Sequence, residues 1–325
     1  MATTEELAAA ANPLTPIPPV TTPGDAITQG EKDRLSALES MSSQQYYEDK
    51  VDGLKQFAGK NTYRDLFKQT PTLQGAYNRV DQGLLSNPSS AKGNGSQRVT
   101  DGDRSGHAAS CISGVCAANH ALGIENWSGD LNNNGEGYVG NQTAESALDK
   151  DTRRSKITKY DDLKKGDLIQ LREHGVPGHA QQFLGNIKYN GIDGNGDPTP
   201  EQFGGTRVFQ DNGDGDLQNT VYADNKDQYK RGVKLYTDAI KNGKIPPKNA
   251  IKPDAHETLS SHTNQEYKDW WSGKKGGQFE GAQAYHRNNF DDMEVKRQAE
   301  IASIKNKYAK TPSTTDMAAA MAMIK

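Results

Sequence analysis

Residues 110–124 read Ser110-Cys111-Ile112-Ser113-Gly114-Val115-Cys116-Ala117-Ala118-Asn119-His120-Ala121-Leu122-Gly123-Ile124. The run is small and apolar and follows a stretch (86–106) dense in Ser, Gly, Asn and Asp, so a helix is expected with Cys111 in its first turn. A thiol there lies in the positive end of the helix dipole, which lowers its pKa and raises the thiolate fraction. Cys116 follows five residues on, roughly 140° further round the helix, and points into a core if Cys111 faces a cleft. With their Cα atoms more than ~7 Å apart on one helix, these two cysteines cannot form a disulfide. Cys111 is the candidate nucleophile and Cys116 a packing residue.

A thiolate nucleophile needs an imidazole partner, and the imidazole needs an acceptor behind it. Lys164-Lys165-Gly166-Asp167-Leu168-Ile169 reads as a tight turn into a strand at 167–172. Val176-Pro177-Gly178 then leads into a strand-like run at 179–185, opened by His179, and a third run at 206–211 follows a loop rich in Gly, Asn and Asp. Gln210 and Asn212 alternate onto one face of that strand and offer a side-chain amide to the imidazole, although an ordinary turn role fits them equally. His174 is a rival base, while His107 and His120 read as structural or solvated. A helix followed by antiparallel strands defines an α+β class.

The order of these elements resembles the papain-like cysteine peptidases and amidases of the NlpC and CHAP groups, which are peptidoglycan hydrolases. In the NlpC group the nucleophile opens a helix as Asp-Cys-Ser-Gly, and the helix ends in Gly-Ile or Gly-Val some thirteen residues later. Ile124 stands thirteen residues after Cys111, so the spacing selects Cys111 over Cys116. Family strands commonly read Gly-Asp-Leu-Val and His-Val-Gly-Ile-Tyr-Leu-Gly, similar to Gly166–Ile169 and His179–Gly185. The resemblance covers roughly residues 105–220. It departs from the pattern at Ser110, at Ile112, at Lys165 and at the amide pair Gln181-Gln182. It implies a nucleophile helix packed on an antiparallel sheet, with Cys111 as nucleophile, His179 as base and then acid, and Gln210 or Asn212 as orienter. The implied substrate is a peptide or amide bond of the bacterial cell wall, with no cofactor or metal.

Composition bounds the rest of the chain. Of 325 residues only 33% are hydrophobic, which leaves room for one domain of about 150 residues with extensions rather than a single globule. With 39 Lys and Arg against 42 Asp and Glu, the net charge of −3 offers no whole-chain attraction to nucleic acid. The longest apolar runs fall short of the ~20 residues that span a bilayer, and the acidic, proline-rich opening does not read as a signal peptide.

Five of the 14 prolines fall in 1–28, read as a flexible arm. Residues 29–86 read as a helical segment, with apolar spacing from Glu31 to Phe57 and more weakly from Arg64 to Leu85. Residues 87–104 are a linker, 105–224 the hydrolase module, 225–310 a helical C-terminal region and 311–325 a Met/Ala-rich tail. The helix expected over 289–310 carries Phe290, Met293, Ile301, Ile304 and Tyr308 on one face, acidic residues early and lysines late.

Other motifs read more plainly. The loops at 130–141 and 193–197 imitate calcium loops, but Asn141 stands where a bidentate Glu is needed and Pro198 where a Gly is needed. Trp270-Trp271 reads as satellite core ahead of a sugar-stacking platform. Long extensions without a leader suggest delivery by a carrier: a phage virion protein acting at the host envelope, its extensions contacting other virion proteins, or a secreted bacterial effector. The alternative from another class is a non-catalytic virion or assembly protein that keeps the module as a scaffold.

Overall fold

The computed structural model describes residues 28–60, 65–66, 69, 86–87, 97–98, 111–124, 145, 148–173, 175–211, 216–274 and 279–310. The arm at 1–27, the expected helix over 64–85, the loop at 130–141, the tail at 311–325, His107, His174 and Asn212 lie outside the described residues, apart from the short turn around Asp65 and Leu66. The described residues form two compact units, one within Lys50–Asn289 and the other joining 28–49 with 290–310.

In the second unit, α1 (Gln29–Ser40) begins at Thr28, whose hydroxyl and Glu31 form a reciprocal capping box. Thr28 therefore belongs to the helix rather than to the arm. The chain breaks at Met41 and Ser42 and resumes as α2 (Ser43–Asp52). The long C-terminal helix runs Asp291–Lys310, and Met293, Ile301 and Ile304 are buried as its apolar stripe requires. Leu38, Tyr46 and Tyr47 supply the opposing apolar surface, with Phe290 packed 5.5 Å from the Tyr47 ring.

The first unit is α+β around a seven-stranded sheet of order β3-β9-β4-β5-β6-β7-β8. Its strands are β3 (Arg154–Ile157), β4 (Leu168–Glu173), β5 (Val176–Ile192), β6 (Pro198–Asp211), β7 (Leu217–Ala223), β8 (Glu257–Leu259) and β9 (Gly281–Arg287). All neighbours are antiparallel except β7 and β8, which run parallel. From the last residue of the expected helical segment into the expected linker, β1 (Ser86–Asn87) and β2 (Gln97–Arg98) form a separate two-residue ladder.

Two expectations change. Residues 186–205 are not a loop: β5 and β6 continue as one long hairpin, and only Asp193–Asp197 turns. Glycines and polar residues at 190–196 read as breakers, yet Ile187, Tyr189 and Phe203 alternate to join a small core with Tyr229, and that burial overrides local propensity. Second, the region after Asp224 is not all helix and loop. Besides α4 (Lys226–Lys241) and α5 (Asn264–Trp271) it supplies β8 and β9 to the sheet, β9 lying between β3 and β4.

The main core sets Ile169, Leu171, Phe183 and Val208 of the sheet against Tyr222, Tyr267, Trp270, Trp271 and Phe279. Trp270 is 1% exposed and contacts the rings of Tyr222, Tyr267, His262 and Phe279 edge-on. Both tryptophans are thus core. Trp270→Ala is expected to destabilise the unit by about 3–5 kcal/mol, read as a lowered midpoint of urea unfolding; an unchanged midpoint excludes the role.

Candidate active site

The helix carrying the quoted stretch runs Cys111–Ala121, here α3, with Cys111 as its first residue. Ile112, Val115, Cys116 and Ala118 are buried, and Cys116 is 1% exposed, as expected for a packing residue. Neither cysteine is in a disulfide. The helix ends on Gly123 at φ 70°, with Ile124 N–H donating to Asn119 O at 2.9 Å and Gly123 N–H to His120 O at 2.9 Å. This is a left-handed C-terminal cap, and it accounts for the Gly-Ile pair thirteen residues after the thiol.

Gly114 costs α3 about 1 kcal/mol of helix propensity, but the site requires it. A Cβ there would lie 2.7 Å from the Cβ of Asp211 and overlap its carboxylate. Asp211 ends β6, is fully buried, and brings a negative charge to the first turn of α3.

His179 is the fourth residue of β5, not its first, since pairing with β4 starts at Val176. Gln181 pairs in register with Gln210 of β6, so His179, two residues along, shares their face. Its Nε2 lies 2.8 Å from Gln210 Oε1. The amide orientation follows from the surrounding partners. Gln210 Nε2 donates to Thr220 Oγ1 at 2.9 Å, which leaves Oε1 to accept from Gln181 Nε2 at 2.6 Å and from His179. Gln181 Nε2 donates also to Tyr222 Oη at 2.8 Å, while Tyr267 Oη donates to Gln181 Oε1 at 3.0 Å. Burial pushes the Tyr222 phenol up to about 12, so it stays neutral.

His179 Nε2 thus carries hydrogen, and Nδ1 is the ring nitrogen left for Cys111, with which the imidazole hydrogen-bonds. Cys111 Sγ accepts a second hydrogen bond from the Ala180 backbone N–H at 3.2 Å. Burial, the largest single influence, pulls the His179 pKa down. The charge of Cys111, the hydrogen bonds to Cys111 and Gln210, and the Asp211 carboxylate outweigh it and hold the pKa above the usual histidine value. This arrangement favours a thiolate–imidazolium pair. The ring is stacked against Phe279 at 6.1 Å, and Phe279 packs on Trp270.

The unusual amide pair at 181–182 also has a structural account. Gln181 supports Gln210, whereas Gln182 faces the other side of the sheet, where its Oε1 accepts from Asn119 Nδ2 of α3 at 2.6 Å and its Nε2 donates to Gly166 O at 3.2 Å. It pins the far end of α3. Gly166, at φ 90°, makes the turn into β4 beside it.

Of the residues singled out in the sequence, Cys111, His179 and Gln210 meet here; Asn212 is outside the described residues. Sequence reasoning missed Asp211, Gln181, Thr220 and Gln170. Gln170 is fully buried in register opposite Ala180, and neither of its polar side-chain atoms has a hydrogen-bond partner. Period-two alternation outward from His179 would have found Gln181; no sequence signal marks the others.

Among the described residues no group of three or more His, Cys, Asp or Glu gathers to hold a metal ion. Among them, too, no helix is long and apolar enough to cross a membrane. Asp193 Oδ1 accepts the backbone N–H groups of Asn195 and Asp197, an ordinary polar turn. Comparison with protein-family models, with curated proteins and with solved structures gave no match.

Proposed function

We propose that the chain is a papain-like cysteine hydrolase that cleaves a peptide or amide bond of bacterial peptidoglycan, with Cys111 as nucleophile. The observation that carries this reading is the chain of contacts from the helix-terminal thiol through His179 to Gln210 and Thr220. A thiolate, a protonated imidazole and a neutral acceptor that fixes the tautomer are the parts acyl transfer needs.

In this mechanism the Cys111 thiolate attacks the carbonyl carbon, and the backbone N–H of Cys111 at the helix start donates to the developing oxyanion. The imidazolium passes its Nδ1 proton to the departing amine as the C–N bond breaks, leaving a thioester. Neutral His179 then takes a proton from water, whose hydroxyl attacks the thioester; the C–S bond breaks, the carboxylic acid product departs, and the proton stays on the ring, so the thiolate–imidazolium pair is restored. Gln210 holds the ring throughout, and Phe279 limits its rotation. The wall as substrate rests on the sequence resemblance, and a virion as the vehicle acting at the host envelope rests on the long extensions flanking the module.

Mass spectrometry of purified peptidoglycan after incubation with the protein tests the proposal. The expected products carry one new amine and one new carboxyl end at a single type of peptide or amide linkage. Walls recovered intact, or cut in the glycan, overturn it.

A further inference from the structure

The reaction above uses Cys111, His179 and Gln210, and leaves one fully buried carboxylate beside them without a task. Asp211 follows Gln210 on β6, so the two side chains leave opposite faces of the sheet. Gln210 reaches His179 on one face at 2.8 Å, while Asp211 meets α3 on the other. Gln181 pairs in register with Gln210, which brings Asp211 level with Ala180, about 5 Å away across the strands. Ala180 is the residue whose backbone N–H donates to Cys111 Sγ at 3.2 Å. One dipeptide at the end of β6 thus bears on both the imidazole and the nucleophile helix.

The fit on α3 is close. A Cβ at Gly114 would overlap Asp211 Oδ2 and lie 2.7 Å from its Cβ and 2.9 Å from its Cγ. Gly114 is the fourth residue of α3, so its N–H is the last of the four that find no partner inside the helix. A carboxylate seated there shares the positive end of the dipole with the thiol three residues earlier. It opposes the thiolate and supports the imidazolium, because a negative charge raises the proton affinity of both groups.

We propose that Asp211 is a positioning residue of the thiol site: its carboxylate, seated on Gly114, registers the start of α3 against β6 and sets where on the pH scale thiolate and imidazolium coexist. The role presupposes the ion pair of the reaction proposed above. Among the described residues, Cys111 and Asp211 are the strongest charges acting on His179. The phenols of Tyr222 on β7 and Tyr267 on α5 stay neutral, since burial raises both. On β4, Arg172 is engaged by Glu145 at 2.7 Å, and Glu173 lies against Gly178. Glu280, next to Phe279, and Asp216, next to the Leu217 that pairs with Asp211, are exposed. On α3 itself Cys116 is buried and His120 stands in the last turn.

The pH profile of Cys111 alkylation by iodoacetate in the full chain tests the role. This anion reacts with the thiolate and is drawn by the imidazolium, so the rate rises through one limb and falls through another. Asp211→Asn keeps the shape and removes the charge. The thiolate then forms at lower pH and the imidazolium gives up its proton at lower pH, so both limbs should move down together by about 0.5–1 pH unit. Asp211→Ser serves the same purpose if the asparagine variant fails to fold. Gly114→Ala should slow alkylation at the optimum at least about tenfold, but no more than about twofold in an Asp211→Gly background, where the obstructing atoms are gone. A carboxylate that only caps α3 would lower the thermal midpoint on removal and leave the limbs in place. Limbs that do not fall together in the folded Asp211 variants, or an equal effect of Gly114→Ala in both backgrounds, overturn the positioning role alone. An unaltered protein whose rate never falls at alkaline pH would overturn it together with the proposed ion pair.

Discussion

Cys111→Ala is expected to abolish wall clearing in zymograms, a loss of at least about 10³-fold, because removing one member of a nucleophile–base unit leaves only binding and oxyanion contacts. The fold should survive. The side chain is small, it packs at the start of α3, and Ile112, Val115 and Ala118 keep that helix seated. His179→Ala should lose about as much as Cys111→Ala, and the double variant should be no worse than either single one, since residues acting together are not additive. Equal clearing by Cys111→Ala and the unaltered protein, with matching thermal unfolding, would remove catalysis and leave the virion or assembly protein with a scaffold module.

That Cys111, His179 and Gln210 come together was legible in the sequence for a local reason, although the choice between Gln210 and Asn212 was not. A cysteine at the start of a small-residue helix and a strand-borne His each carry their own signal, and period-two alternation limits which side chains share a face. The buttresses were not legible, because Asp211, Thr220 and Tyr267 act from strands and a helix whose pairing is settled by tertiary packing. Asp211 illustrates this: nothing around Val208–Asp211 says that its carboxylate will close on Gly114, about a hundred residues earlier. The α+β class followed from the order of elements, but the width of the sheet did not. Gly281–Arg287 lies in a polar segment after a Gly-rich loop, and it becomes a strand because β3 and β4 flank it on both edges. The amides at 181 and 182 looked out of place in a strand where apolar residues are usual, yet they face opposite sides of the sheet and each has partners there.

Gln210→Leu and Gln210→Glu should shift the pH dependence of the thiol in opposite directions. Iodoacetate is the suitable reagent: as an anion it is drawn to the imidazolium, so its reaction with Cys111 slows once His179 loses its proton. The Gln210 hydrogen bond is one of the influences that raise the His179 pKa. Leucine removes it and strands the Nε2 hydrogen, together with the amide hydrogen of Gln181, in a buried setting. The imidazolium is then less stable, its pKa falls, and the alkaline limb of alkylation moves to lower pH. Hydrolysis at neutral pH should fall about 10- to 10³-fold as the ring loses its fixed tautomer. Glutamate still accepts from Nε2 and adds a negative charge, so the imidazolium gains stability and the limb moves to higher pH. Cys116, 1% exposed, serves as the internal reference and should react slowly in every variant. A Gln210 that merely fills space would let both substitutions reduce the folded fraction while leaving the limb where it stands, and that result would take the orienting role away from it.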